Sequence, residues 1–273
     1  MINFWSYEKE YKEYRSQFLN IIDKTFKKGQ IFFGKNLINF ENNFKNKYKS
    51  KYGLAVGSGT DALLISLMSL GIKRGDEVIT ASNTAIPTIS AIVNSGAKPV
   101  LVDIDENYLM DIKKLKKSIS NKTKAIIPVH MLGVPAQMDE ILKIAKKNKI
   151  KVLEDNCEAV GAKLNNKYLG SIGDIGVASY DFSKTITCGE GGMIFTNNKK
   201  IFKYCKEYHD HGHENNPKLK RGEDSRSIVG FNYRMTELQA VVGKVQLKKI
   251  DFILKENKKR YLEIEKVLKK NTN

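Results

Sequence analysis

Residues 52–82, YGLAVGSGTDALLISLMSLGIKRGDEVITAS, contain a short apolar run, a glycine-rich turn, a helical pattern and a second apolar run. The first run is YGLAVG, the helical pattern is TDALLISLMSLG, and the second run is DEVITAS. A strand, a helix and a strand in direct succession predict a βαβ unit with two parallel strands.

The same alternation continues to about residue 195. The remaining apolar runs are KPVLVDI, TKAIIPVH, KVLEDN, IGVASY and GGMIFTN, and helical patterns such as MDEILKIAKKN lie between them. The sequence therefore predicts an α/β fold with a mostly parallel, seven-stranded sheet covered by helices on both faces. Ligands of such sheets bind at the carboxyl ends of the strands.

The flanking segments have other patterns. Residues 1–50 predict two outer helices broken by GQIFFGKN, residues 206–232 predict a polar loop that carries three histidines, and residues 235–270 predict one long helix.

The charge of the chain does not indicate a nucleic-acid-binding protein. The chain has 273 residues and a formal net charge of +17, but its 47 basic residues comprise 41 lysines and only six arginines. The lysines are spread over surface-like helical patterns, and no nucleic-acid motif is present. We therefore expect no nucleic-acid partner.

The sequence also favours a cytoplasmic protein without a membrane segment. No apolar run approaches the roughly 18 residues of a membrane helix, and the charged first residues differ from a signal peptide. Cys157, Cys188 and Cys205 are widely spaced and odd in number, so we expect reduced thiols and no zinc module.

The turn GSGT between the first strand and the first helix of the sheet is a candidate anion site. Free backbone N–H groups at a helix start, together with the helix dipole, bind phosphate. An ordinary N-cap by Ser58 or Thr60 explains the same motif equally well.

Two later motifs carry charged groups at strand ends. KVLEDNCEAVGA ends a buried strand with Glu154 and Asp155, where a carboxylate requires a cationic partner such as a protonated ring nitrogen; an unremarkable strand-end carboxylate is the alternative.

SYDFSKTITCGEGGMIF, residues 179–195, places Lys184 in an otherwise glycine-rich turn. A lysine amine forms a Schiff base when its pKa is lowered by burial or positive neighbours. A phosphate site, a carboxylate and a reactive lysine in this order are the parts that hold pyridoxal phosphate (PLP).

These motifs occur in a familiar order from about residue 30 to the end of the chain. GSGTDAL, GDEVIT, GAKPVLVDID, PVHMLGVPAQMDEI, EDNCEAVGA, SYDFSKTITCGEGG and GFNYRMTELQA together resemble the DegT/DnrJ/EryC1/StrS family of PLP-dependent sugar aminotransferases. The resemblance implies the large domain of the fold type I PLP-dependent transferases. It also implies that Lys184 and Asp155 are catalytic, because they would bind the cofactor aldehyde and the ring nitrogen. The implied cofactor-binding residues are Gly59, Thr60, Asp155, Glu158, Ser179, Lys184 and Asn232.

The family resemblance further implies the reaction and the assembly. Glutamate would donate an amino group to a keto-sugar for lipopolysaccharide or another surface polysaccharide. Asn232 would reach the phosphate of a neighbouring subunit, which implies a homodimer with shared active sites.

The chain departs from the family pattern in three respects. Ala85 occupies the position where relatives often stack an aromatic side chain on the cofactor ring. Glu158 replaces a common glutamine near the cofactor's phenolic oxygen, where a second carboxylate must be protonated or paired. Relatives also continue for about another hundred residues as a small domain. We therefore divide the chain into residues 1–235, the outer helices with the PLP-binding domain, and residues 236–273, the start of an incomplete C-terminal domain.

The loop HDHGHENNPKLKRGED is similar to a narrower branch, which aminates C8 of an oxidised 3-deoxy-manno-octulosonate. His211, His213, Arg221 and Arg226 are then candidates for contact with the carboxylate of that sugar. A mobile surface loop is the alternative. The spacing of His209, His211 and His213 also suits a metal on an extended strand, but we expect no carboxylate or thiol to be placed where it would complete such a site, so we predict no metal. We expect His130 to pack beside the site.

Two other functions fit parts of the pattern. A PLP-dependent sugar dehydratase of the same fold would have histidine in place of the Schiff-base lysine, and Lys184 argues against it. A non-catalytic or truncated regulatory or binding relative would keep the fold and lose cofactor contacts, and Ala85 and Glu158 are compatible with it.

Overall fold

The computed structural model describes residues 6–216 and 218–271. The helices are α1 (Tyr7–Lys27), α2 (Lys35–Tyr48), α3 (Gly59–Ser69), α4 (Ile86–Asn94), α5 (Ile112–Ser118), α6 (Met138–Asn148), α7 (Lys199–Tyr208), α8 (Glu237–Leu247) and α9 (Ile250–Asn271), with a short 3₁₀ turn at Met131–Gly133. The strands are β1 (Tyr52–Val56), β2 (Glu77–Ala81), β3 (Lys98–Val102), β4 (Thr123–Ile127), β5 (Lys151–Asp155), β6 (Lys163–Leu164), β7 (Lys167–Tyr168), β8 (Ile175–Ser179) and β9 (Gly192–Thr196).

Seven of these strands form the main sheet, in the order β1-β9-β8-β5-β4-β2-β3. β9 runs antiparallel to both of its neighbours, and the other pairings are parallel. The seven apolar runs of the sequence are these seven strands, so the predicted fold class is confirmed. β6 and β7 form a separate two-stranded ribbon.

Both faces of the sheet are buried, because helices pack on each of them. Successive residues of a strand point to opposite faces. On one face, Leu153 and Val177 pack with α3, α4 and α7. On the other face, Ala178 packs with α2 and α8, and Val152 packs with α5 and α6. The molecule therefore has three layers, and the face that carries α3 and α4 is the one that matters for the site.

The C-terminal part of the chain differs from the prediction of one long helix. α8 ends at Leu247 and α9 begins at Ile250. The N–H of Lys249 bonds to the carbonyl of Gln246, three residues back, at 3.0 Å, so the chain makes a tighter turn between the helices.

The predicted domain boundary after residue 235 falls beside Thr236, the N-cap of α8. Ala240 and Ile250 pack in the same core as Phe40 and Tyr180 of the preceding segment. Within residues 6–216 and 218–271, no helix is both long and apolar enough to cross a membrane.

Candidate active site

A cavity of about 270 Å³ lies at the carboxyl ends of the parallel strands. Its walls come from the start of α3, the start of α4, the end of β5, and the loop between β8 and β9. The polar and small residues around it are Ser58, Gly59, Thr60, Thr84, Ala85, Thr88, Asp155, Cys157, Glu158, Ser179, Asp181, Lys184 and Glu190.

Asp155 is the carboxylate at the end of β5 that faces this cavity, and it is only 5% exposed. Its Oδ2 accepts a hydrogen bond from the Thr88 hydroxyl at 2.8 Å, and its Oδ1 accepts one from the backbone N–H of Cys157 at 3.1 Å. Each oxygen thus has at least one donor from the protein, and the Cys157 thiol also hydrogen-bonds to this carboxylate. A carboxylate has about four acceptor positions, so it keeps capacity for a cavity ligand.

Glu154, the preceding residue, points away from the cavity. Its carboxylate accepts hydrogen bonds from the backbone N–H groups of Gly170, Ile172 and Gly173, at 2.9, 2.6 and 2.6 Å. His130 Nε2 lies 3.0 Å from the same carboxylate, and His130 Nδ1 accepts from the N–H of Ala136. Glu154 and His130 therefore hold loops together beside the site, as expected for His130.

Lys184 lies in a turn of the loop between β8 and β9. Its backbone N–H bonds to the carbonyl of Asp181 at 3.1 Å. Partial burial raises the pKa of Asp181, but hydrogen bonds from Ser183 and the charge of Lys184 outweigh it and leave that pKa lowered. The partly buried amine of Lys184 has neither a hydrogen bond nor an ion pair within residues 6–216 and 218–271. It is therefore available for a ligand in the cavity.

The start of α3 forms the third wall. Ser58 is the N-cap, and its hydroxyl accepts from the N–H of Asp61 at 3.0 Å. The N–H groups of Gly59 and Thr60 find no acceptor in the described part of the chain. The N-cap interpretation of the GSGT motif is therefore confirmed. A capped helix start still keeps two free donors, so the anion site stays a prediction.

Gly59 is required by close packing. A Cβ atom at this position would lie 2.7 Å from Cβ and 3.0 Å from Oγ of Ser179. Ser179, at the end of β8, therefore meets the start of α3 directly. This contact places the Ser179 hydroxyl beside Gly59.

Cys157 and Glu158, which follow Asp155 in the sequence, also line the cavity. Burial strongly raises the pKa of the Cys157 thiol, so this side chain is a neutral group. The carboxylate of Glu158 lines the cavity and accepts a long hydrogen bond, 3.4 Å, from the backbone N–H of Leu132. The expectation that this second carboxylate is protonated or paired stays a prediction. Ala85 lines the opposite wall as the N-cap of α4.

Asn232, expected at the phosphate of a neighbouring subunit, is exposed and does not line the cavity of its own chain. Its backbone pairs with Asp210 in an isolated antiparallel bridge. This position leaves its side chain free to contact a second subunit, and its cofactor role stays a prediction.

The four residues expected at a substrate carboxylate lie outside the cavity lining. Arg221 makes a two-pronged ion pair with the buried Asp210, at 2.6 and 2.5 Å. His213 lies 2.9 Å from Asp224 and 3.0 Å from an Arg226 nitrogen. His211 is exposed, with a positive φ of 53°. The structure thus gives three of the four an internal partner, and their contact with a substrate stays a prediction.

The histidine loop has a structural carboxylate that sequence reasoning did not single out. Asp210 also accepts from Arg234 at 2.8 Å, so it joins two arginines. His209 Nδ1 lies 2.6 Å from the carbonyl oxygen of Lys206. Among the described residues, no group of three histidines, cysteines or carboxylates is arranged to hold a metal ion.

The sequence motifs also missed Thr84 and Thr88 in the cavity wall. Both come from TAIPTIS, and their spacing of four residues is the one sequence signal that places them on one side of a helix turn.

An amine, a carboxylate and a helix start around one cavity, at the carboxyl edge of this sheet, define the large domain of an aminotransferase-type fold. DesV of S. venezuelae is similar in structure, with a TM-score of 0.85 and 30% identity over 92% of this chain and 66% of that one. NtdA of Bacillus subtilis, solved with bound cofactor PMP, has a TM-score of 0.81 and 33% identity over 88% of this chain and 54% of that one.

The curated relatives agree with the structural neighbours. A GDP-perosamine synthase of Escherichia coli O157:H7 is 38% identical over 241 residues, which are 88% of this chain and 64% of that protein. This chain therefore spans less than two thirds of that relative's length. The family model for the DegT/DnrJ/EryC1/StrS aminotransferases matches residues 12–273. The chain belongs to the DegT/DnrJ/EryC1/StrS aminotransferase family.

Members of this family depend on PLP, and the cavity suits that cofactor. The free N–H groups of Gly59 and Thr60 match a phosphate, and the unpartnered amine of Lys184 matches an aldehyde. The buried carboxylate of Asp155 matches a protonated ring nitrogen. Residues present in the chain can therefore hold each end of the cofactor.

Proposed function

We propose that this protein transfers an amino group from glutamate to a keto-sugar with PLP as its cofactor. One observation carries the proposal: the unpartnered amine of Lys184 and the buried carboxylate of Asp155 face the same cavity. The first group can bond a carbonyl carbon and move a proton, and the second can hold a positive charge on a ring.

The cofactor, when bound, supplies an electron sink for the bond that breaks at the amino-bearing carbon. Asp155 keeps a proton on the ring nitrogen, because its carboxylate is the negative group at that end of the cavity. Lys184 is the proton carrier, since its amine has no hydrogen bond and no ion pair within the described chain. Gly59, Thr60 and Ser179 anchor the phosphate at the start of α3.

For the acceptor, we propose a nucleotide-linked keto-sugar that is used in a surface polysaccharide. The name of the Escherichia coli relative, a GDP-perosamine synthase, supports this choice. The acidic 8-oxo-3-deoxy-octulosonate is the other acceptor to test. It is less favoured because Arg221 is already paired with Asp210, and a substrate carboxylate would have to share or open that pair.

We also propose a cytoplasmic homodimer in which Asn232 of each subunit contacts the phosphate bound by its partner. The exposure of Asn232 supports a contact outside its own chain. The free Cys157, Cys188 and Cys205 support a reducing compartment.

The test is visible absorbance of the purified protein with PLP, before and after addition of glutamate. Wild type is expected to show a band that glutamate removes and that a keto-sugar restores, whereas Lys184→Ala shows no such band. Lys113→Ala, at an exposed lysine of α5, is the matched control and should behave as wild type.

Nucleotide-linked keto-sugars and the octulosonate are then compared as acceptors. A lysine-dependent band that glutamate leaves unchanged would contradict the aminotransferase and support a non-catalytic binding relative. The absence of any lysine-dependent band would contradict cofactor binding itself.

A further inference from the structure

A short chain of buried hydroxyl groups ends at Asp155. The hydroxyl of Thr84 donates to the hydroxyl of Thr88 at 2.9 Å, and the hydroxyl of Thr88 donates to Asp155 Oδ2 at 2.8 Å. Thr84, Thr88 and Asp155 are 8%, 1% and 5% exposed, so bulk water does not replace these bonds. Thr84 and Thr88 also line the cavity.

The first turn of α4 makes this arrangement possible. Ala85 is the N-cap and Pro87 lies in the first turn, where a proline nitrogen needs no hydrogen bond. The backbone N–H of Thr88 already bonds to the carbonyl of Ala85 at 3.1 Å. A threonine hydroxyl in a helix commonly bonds to a carbonyl of its own helix. The Thr88 hydroxyl instead crosses to β5.

The two oxygens of Asp155 are thereby held from two directions. Thr88 holds Oδ2 from α4, and the backbone N–H of Cys157 holds Oδ1 from the segment after β5. Both donors stabilise negative charge on the carboxylate and restrict rotation of its plane. Because Thr88 accepts from Thr84, its own donor is polarised toward Asp155.

We propose that Thr88, supported by Thr84, is a positioning residue that aims the Asp155 carboxylate at the ring nitrogen of the cofactor. This inference rests on the proposed PLP site and adds a residue 67 positions away in sequence from the carboxylate that it orients. Thr88 acts through Asp155 and bonds to no reacting atom.

The experiment measures the dissociation constant of PLP for the apo protein by absorbance titration, without amino donor or acceptor. Thr88→Val removes the hydroxyl but keeps the side-chain shape, and we expect binding about 10-fold or more weaker, the usual cost of a hydrogen bond to a charged group. Thr88→Ser keeps the hydroxyl and should stay within about 3-fold of wild type. Thr84→Val should weaken binding less than Thr88→Val, because it acts one bond further away.

Thr80→Val is the matched control. Thr80 is fully buried in β2, and its hydroxyl donates to the carbonyl of Ile127 at 3.0 Å, away from the cavity lining. This variant should lower the melting temperature but leave the PLP dissociation constant unchanged. The pH dependence of the visible band is recorded as a second signal, and only Thr88→Val and Thr84→Val should shift it.

The inference is overturned if Thr88→Val binds PLP as wild type does. It is also overturned if Thr88→Ser and Thr88→Val lose affinity equally, since packing of the side chain would then be its role. Wild-type protein that binds PLP but takes no amino group from glutamate would contradict the proposed function alone. Wild-type protein without lysine-dependent PLP binding would overturn both.

Discussion

Glu154 and Asp155 are consecutive carboxylates at the end of β5 that point to opposite faces of the sheet. Glu154 receives three backbone N–H groups and His130 on the α6 side, whereas Asp155 receives Thr88 on the α4 side and lines the cavity. The alternation of side chains along a strand separates their roles. One carboxylate is an internal anchor, and the other is the candidate catalytic group.

Asp155→Asn should abolish most amino transfer and leave the fold intact. The amide has no negative charge to hold a protonated ring nitrogen, so we expect a rate loss of about 100-fold or more, as for other preorganised electrostatic contacts. Single-turnover reaction with glutamate measures the rate, and urea unfolding measures stability. An active Asp155→Asn variant would remove Asp155 from the mechanism.

Glu154→Ala should act on stability. The change leaves three buried or partly buried backbone N–H groups and the buried His130 without their acceptor, and each lost partner costs about 1 kcal/mol or more. We expect the free energy of unfolding to fall by about 3 kcal/mol or more. Urea unfolding measures the free energy of unfolding of Glu154→Ala and of Asp155→Asn. Equal values for the two variants would contradict a structural role for Glu154 that Asp155 does not share.

Gly59→Ala should weaken cofactor binding through a local displacement. The added Cβ would lie 2.7 Å from Ser179 Cβ, so the start of α3 must move away from Ser179. We expect PLP affinity to fall by about 10-fold, since phosphate contacts at a helix start depend on that geometry.

Gly71→Ala, just beyond the other end of α3, is the control for this prediction. Gly71 has a φ of +78° and no neighbour within 4 Å of the added Cβ, so its cost is backbone strain alone. Stability should fall in this variant while PLP affinity stays at the wild-type value. A PLP affinity for Gly59→Ala equal to that of wild type would contradict the phosphate site.

His209 should make stability depend on pH. Burial lowers the pKa of its imidazole from 6.5 to about 4. Between these pH values the unfolded chain binds more protons than the folded one, so the free energy of unfolding falls as pH drops through this range. The full shift of the His209 pKa corresponds to about 3 kcal/mol of unfolding free energy.

The measurement is the difference in unfolding free energy between wild type and His209→Gln, from about pH 8 to about pH 5. Burial raises the pKa of Glu41 to about 7, so Glu41 makes the fold more stable as pH drops, opposite to His209. Both proteins contain Glu41, so its contribution cancels in the difference between their profiles. We expect a constant difference above pH 6.5 and a shrinking cost of the substitution below it. Parallel profiles throughout would show that His209 is not buried as a neutral group.

The layered α/β fold could be predicted from the sequence, because apolar runs of strand length alternate with helical patterns from residue 52 to residue 195. It also singled out Lys184 and Asp155, since a lysine in a glycine-rich turn and a carboxylate after a buried strand both require a special partner. Because side chains alternate along a strand, the sequence already places Glu154 and Asp155 on opposite faces of the sheet. Only the packing of helices and loops on each face shows that Asp155 lines the cavity.

Contacts between residues distant in sequence could not be predicted, because they depend on how separate elements pack. Thr88 and Asp155 come from a helix and a strand that are 67 residues apart, and no periodic pattern in either segment records their meeting. Arg221 illustrates the same limit, because its residue type suits a substrate carboxylate while the fold places Asp210 against it. Patterns along a chain report which face of an element is buried, whereas the partner of a polar group depends on how separate elements pack.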